Sequence, residues 1–304
     1  MVRVVDAIIG AKPKGVSFGG GEPLLAPWWA EAIQRFDAAG IPVVVSTSGW
    51  MMDEESANTL SRYAHEVVVS IDGATEQTND FVRGRQGAFG KAMETLECLL
   101  RVKRERAARG ERHARVGVDY TVVRRGRDEV EKFVVDMTTR FPELDHITFG
   151  AAVPCGLAEE ESFAGELLSE DDLDTLAASH QRLVELSKSP TTEINVADVR
   201  LFRPDSPLHE MGDTHAHLEP DGQLRAFATN EKKVGSILEV PVDELWRRAL
   251  EWRNSPFVSE LRCSIRNTED WARVNRTLDQ HFGSENDLVR IAKRGDKKAA
   301  RPQA

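Results

Sequence analysis

Residues 14–25 read Lys-Gly-Val-Ser-Phe-Gly-Gly-Gly-Glu-Pro-Leu-Leu. A short β-branched and aromatic run, Val16 to Phe18, passes directly into Gly19, Gly20 and Gly21, then Glu22 and Pro23. Glycines at the end of a strand let the backbone come close to a ligand. In parallel sheets and barrels that end of the strand is where ligands bind. A glycine-rich turn with no ligand has the same local composition, so the flanking sequence has to decide.

The flanks repeat one pattern. β-branched runs at 16–18, 43–46, 67–71, 116–123 and 146–149 alternate with helical stretches at 27–39, 53–62, 88–109 and 128–140. Apolar strands spaced by amphipathic helices indicate a parallel sheet covered by helices. The stretch 88–109 is typical: Met93, Leu96, Leu99 and Leu100 recur at helical spacing before a charged, solvated end. The second strand ends in Ser46-Thr47-Ser48-Gly49 and the third in Ser70-Ile71-Asp72-Gly73. Each could be a helix cap taken alone. Three successive strand ends of this kind predict a polar rim that binds a ligand.

Beyond residue 157 the pattern changes. Residues 158–206 read as an acidic loop, a helix opened by Ser169 and a linker. After Pro190, the turn Glu219-Pro220-Asp221-Gly222 lies between runs 214–218 and 223–227, which predicts a hairpin, with a further strand near 234–238. Residues 207–283 are thus expected to form a small α+β domain, and 284–304 a disordered basic tail.

Composition narrows the function classes. The chain has 304 residues, 40% apolar and 30% charged, with a net charge of -10. That acidic balance argues against a nucleic-acid partner, because phosphate backbones require clustered Lys and Arg, and the basic run near the C-terminus reads as a solvated tail. No stretch has the apolar length of a membrane span, and no signal peptide is read at the N-terminus. Three scattered cysteines, Cys98, Cys155 and Cys263, suit a reducing, cytoplasmic compartment. Cys263 is expected to be a small buried hydrophobe. His209, His215 and His217 have no convincing set of partner ligands, so no metal site is expected there.

The motifs FGGGEPLL, VVVSTSGWMMDEE and VVVSIDGATEQTNDFVRGRQGAFGKAMETLECLL, in this order, resemble the radical SAM superfamily, nearest its branch with a C-terminal SPASM or twitch domain. The resemblance covers roughly residues 14–160 well and 207–255 more weakly. It implies an α/β fold: a partial (β/α) barrel over residues 1–157, whose first strand is missing from this chain, followed by a SPASM/twitch-like domain. It implies binding of S-adenosylmethionine. Gly20, Gly21 and Glu22 match the motif that holds the ligand's amino group, Ser46 and Ser48 the ribose side, and Ser70 a polar contact. Arg83 matches the arginine that pairs with the carboxylate, though a surface arginine beside Arg85 reads equally well. Pro154, in Val153-Pro154-Cys155-Gly156, occupies the strand end near the adenine.

The family also implies a [4Fe–4S] cluster on a CxxxCxxC loop upstream of the glycine motif. No cysteine lies in that part of this sequence. In the second domain, alignment on Gly212 and Asp221-Gly222 puts His209 and Phe227 where cluster cysteines fall, and Phe cannot ligate iron. Two readings remain. One is a peptide- or natural-product-modifying family member with an incomplete N-terminus. The other is a catalytically inactive homologue that presents a peptide to a partner enzyme, accepting it by strand addition. A non-radical transferase that uses S-adenosylmethionine is a third, for which no catalytic base is found.

Overall fold

The structure is a computed structural model that describes residues 2–159, 161–202 and 215–299. The five β-branched runs form parallel strands β1 Val16–Phe18, β2 Val43–Thr47, β3 Glu66–Ser70, β4 Arg115–Val122 and β5 His146–Ala151. A sixth strand, β6 Glu193–Ala197, completes a sheet whose spatial order follows the chain. Helix α1 Val2–Ala11 precedes β1, and α2 Trp29–Ala38 and α3 Glu54–Tyr63 make the next two crossovers. Helices α4 Glu76–Arg83 and α5 Ala88–Ala108 link β3 to β4, and α6 Val130–Arg140 links β4 to β5. Helices α7 Glu161–Ala164, α8 Glu170–Ala178 and α9 His180–Leu186 lead into β6. Right-handed crossovers taken always in one direction place every helix on the same side of the sheet. Twist then curls such a sheet into part of a barrel.

Strand register separates the two faces. Val69, Val118, Ile147 and Ile194 are partners across four strands, and all are buried in the core against the helices. Tyr120, Phe133 and Phe149 pack there with ring centroids 4.8 to 6.1 Å apart, fixing α6 on β4 and β5. The opposite face carries Ser46, Ser70, Asp119 and Thr148, all half-buried. A polar concave face and an apolar convex one is the arrangement a ligand-binding partial barrel requires.

The C-terminal part pairs β7 Gln223–Arg225 with β8 Lys233–Ser236, antiparallel, and adds α10 Val242–Arg253, α11 Pro256–Cys263, α12 Thr268–Phe282 and α13 Glu285–Ala299. One small core gathers Phe227, Trp252, Trp271 and Leu278. Another gathers Leu224, Ile237 and Leu245 around Val4 of α1. The same helix sends Val5 into the main core, so α1 packs on both sides.

Several expectations need correction. The segment read as a linker before residue 206 contains β6, an edge strand with only Ile194 fully buried, which gives it a weak apolar signal. Of the tail read as disordered, Glu285–Ala299 form α13. Ser284 and Asp287 cap it reciprocally, and Asp287 also meets Lys233 and Arg290. The turn at 219–222 is tight, with Leu218 bridged to Leu224, but the two-stranded sheet itself pairs β7 with β8. Cys263 is exposed at the end of α11 rather than buried. His209 and Gly212 lie outside the described residues.

Candidate functional site

The C-terminal ends of β1, β2 and β3 surround a cleft of about 250 Å³ lined by Gly21, Glu22, Ser48, Trp50, Ser70, Arg83, Arg85 and Ala88. Five of the residues expected at the site are therefore together: Gly21, Glu22, Ser48, Ser70 and Arg83. Gly20, Ser46 and Pro154 are not part of that lining. Gly20 holds a φ of 93° in the loop, Ser46 lies on the concave face of β2, and the carbonyl of Pro154 accepts from Asn275 Nδ2 at 2.9 Å.

Glu22 fastens the loop after β1 to the end of β2. Its Oε1 accepts from Thr47 Oγ1 at 2.8 Å and Leu24 N at 3.3 Å; its Oε2 accepts from Ser48 N at 2.8 Å and from Ser48 Oγ. A carboxylate offers about four lone-pair sites, and all are taken here. The residue therefore sets the shape of the rim. Gly49 follows with a φ of 80°, and a Cβ there would lie 2.6 Å from Thr95 Oγ1 of α5, which donates to the Gly49 carbonyl. Only glycine fits between that backbone and α5.

Arg83 sits in the last turn of α4, and its Nε forms an ion pair with Asp72 Oδ2 at 2.7 Å. Asp72 is 3% exposed, and its Oδ1 accepts from Thr121 N at 2.7 Å. Burial raises the Asp72 carboxyl above the usual range, and Arg83 opposes the shift. The terminal nitrogens of Arg83 meet no acceptor among the described residues, and its side chain reaches the cleft wall. A guanidinium oriented through one edge and open on the other is set to grip a carboxylate.

Trp50 and Arg85 were not singled out from the sequence. The Arg85 guanidinium carbon lies 3.2 Å from the centre of the Trp50 ring, a cation–π stack that forms the outer wall of the cleft. The only sequence signal for it was an aromatic residue next to a strand-end glycine. The stack offers a flat face and a second positive charge.

A [4Fe–4S] cluster requires clustered thiolates. Cys98 is on α5, where burial and the charge of Glu54 hold its thiol above the usual range and Arg101 opposes the shift. Cys155 follows β5, and Cys263 ends α11. No three His, Cys, Asp or Glu side chains among the described residues converge as a metal site. The residues present do not fit a cluster. Burial and Arg225 hold His217 below the usual histidine range.

Residues 1–109 match the model of the Radical SAM superfamily. Mycofactocin maturase MftC of Mycobacterium tuberculosis is 33% identical over 134 residues, 44% of this chain and 32% of MftC. The chain thus spans about a third of that relative's length. Among solved structures, anSMEcpe with bound AdoMet and a Cp18Cys peptide superposes with a TM-score of 0.58 at 15% identity, covering 87% of this chain and 74% of that one. SuiB of Streptococcus suis bound to S-adenosylmethionine gives a TM-score of 0.57 at 13% identity, covering 86% and 60%. The first 109 residues thus match the radical SAM superfamily in sequence, and the singly wound sheet shares the fold of these solved structures.

Proposed function

We propose that this chain binds S-adenosylmethionine in the cleft at the ends of β1, β2 and β3, and acts in the modification of a peptide or peptide-derived natural product. The observation that carries the reading is the convergence of Gly21, Glu22, Ser48, Ser70 and Arg83 on one cleft, from well-separated segments of the chain. Arg83 grips the ligand's carboxylate with its open edge. The glycine loop, held by Glu22, brings backbone carbonyls to the amino group. The hydroxyls of Ser48 and Ser70 meet polar edges, and the Trp50–Arg85 wall covers an apolar or aromatic face. Residues 1–157 form the binding unit in this reading, and 207–283 its SPASM/twitch-like companion. No helix among the described residues is long and apolar enough to cross a membrane, in keeping with the proposed cytoplasmic setting.

Support for the substrate class comes from the relatives. MftC is named a maturase, and anSMEcpe has been solved with AdoMet and a peptide bound. Radical chemistry when a cluster is present is a property of the family; the role proposed for this chain is to bind and orient the ligands. Calorimetry on the 304-residue chain tests it. A few charge-assisted hydrogen bonds, less the entropy of association, give a Kd on the order of 0.1–1 mM. Arg83→Lys, which loses the fork but keeps the charge, weakens binding by roughly tenfold. No detectable heat at millimolar ligand, or equal affinity in the two proteins, overturns the reading.

A further inference from the structure

One row of the concave face extends beyond the cleft. Ser70 on β3 pairs in register with Asp119 on β4, Asp119 with Thr148 on β5, and Thr148 with Asn195 on β6. Register partners in a parallel sheet point to the same face. The row one residue earlier, Val69, Val118, Ile147 and Ile194, is buried against the helices. Ser70, Asp119, Thr148 and Asn195 therefore run side by side across four strands on the concave side, and Ser70 is also part of the cleft lining.

The strand starts below the row carry a network of charged and imidazole side chains. His146 is 6% exposed, and its ring lies against Gly117, where a Cβ would come 2.0 Å from the imidazole. Its Nε2 is 3.6 Å from Glu66 Oε1, and Arg115 bridges Glu66 and Glu193 across the strand starts. This network lies at the strand starts, and the row through Asp119 lies further along the strands, on the side where Ser70 lines the cleft.

Asp119 stands out within the row. Its carboxylate has no hydrogen-bond or ion-pair partner among the described residues. Every other charged group that faces it is engaged: His146 with Glu66, and Asp72 with Arg83. Burial lifts its carboxyl above the usual range, helped by the charges of Glu66 and Asp72 and opposed by His146 and Arg83. A half-buried anion without a partner is destabilised until a cation reaches it.

We propose that Asp119, flanked by Ser70, Thr148 and Asn195, is a cation-selective subsite on the concave face that takes the ammonium or guanidinium group of a ligand, such as a lysine or arginine side chain of a peptide. The carboxylate supplies the charge, and the two hydroxyls and the amide take up the remaining N–H donors. This deepens the function proposed above by naming the chemistry of the second ligand, and it shares only Ser70 with the S-adenosylmethionine cleft.

The test uses the full chain and two probes, acetyl-Ala-Lys-Ala-amide and its norleucine counterpart. Carbon-13 NMR of labelled Asp carboxyls follows the Asp119 titration, and calorimetry follows binding of each peptide and of S-adenosylmethionine. The lysyl peptide is expected to bind at least tenfold tighter than the norleucine peptide and to lower the Asp119 midpoint. Asp119→Asn removes that preference and leaves S-adenosylmethionine affinity within twofold; Thr148→Val reduces the preference without changing the fold seen by circular dichroism. Equal binding of the two peptides, or an unchanged preference in Asp119→Asn, overturns the subsite. Selective lysyl binding in a chain that does not bind S-adenosylmethionine supports the subsite and counts against the cleft.

Discussion

Asp72 and Arg83 meet at 2.7 Å, in an ion pair that ties the residues after β3 to the last turn of α4. Asp72 also accepts from the backbone of β4 through Thr121 N. One buried carboxylate thus links three segments and aims the one arginine expected to hold a ligand's carboxylate.

Replacing Asp72 with Ala therefore costs both stability and binding. It leaves Thr121 N without an acceptor and Arg83 without its anchor, a loss of about 2–4 kcal/mol, discounted because Arg83 is partly exposed. Asp72→Asn keeps an acceptor for Thr121 and loses less. Urea denaturation of the two variants checks the order.

Gly49→Ala is expected to be among the most damaging single-methyl additions in the sheet domain. The φ of 80° strains any L side chain, and Thr95 occupies the space a Cβ needs. Strain and overpacking together cost about 2–4 kcal/mol. Thr95→Ala in the same chain recovers the overpacking part only, which a double-mutant cycle measures.

Asp119 sets a pH dependence whose sign follows from its raised carboxyl. A group that holds its proton more tightly when folded stabilises the fold at low pH. That contribution is complete below its unfolded value, 3.8, and is lost as pH rises through the folded value. Asp119→Asn should therefore match the wild type near pH 3 and become the more stable protein as pH rises toward neutrality. Thermal melts at a series of pH values give the comparison; parallel curves would refute it.

Glu231 gives the opposite sign. Burial alone would raise its carboxyl, but Arg225, Lys233 and Arg290 more than offset this and hold it below the usual range. Stability from this group is present above the unfolded value of 4.5 and is lost as pH falls through the lowered one. Glu231→Gln leaves three cations facing a neutral group and costs about 3 kcal/mol at pH 7. The difference from wild type shrinks on acidification, as melts at pH 3 and pH 7 would register.

Strands β2 to β5 were legible because buried strands are rich in Val, Ile, Phe and Tyr, and the edge strand β1 because it runs directly into the glycine motif. β6 was not: it is an edge strand with a single fully buried residue, Ile194, so Glu193–Ala197 reads as polar linker. The tail misled for a related reason. Its charges look solvated in sequence, yet Asp287 and Arg290 close on Lys233 and Glu231 of another segment. At the site, motif order was enough to bring Gly21, Glu22, Ser48, Ser70 and Arg83 together. What Glu22 does there was hidden, because its partners Thr47 and Ser48 come from the next strand. The Trp50–Arg85 stack and the row through Asp119 arise from cross-element geometry that no local spacing carries.

The double packing of α1 bears on the order in which the chain folds during synthesis. Val5 joins the sheet core, but Val4 finds Leu224, Ile237 and Leu245 only once those residues have left the ribosome. At about 5–20 residues per second the wait is on the order of ten to fifty seconds. For that interval an apolar helix flank stays uncovered, exposed to chaperones and to mispairing with other nascent chains. Conditions that slow translation of the C-terminal third should therefore lower the yield of folded protein even when the mature fold is unchanged.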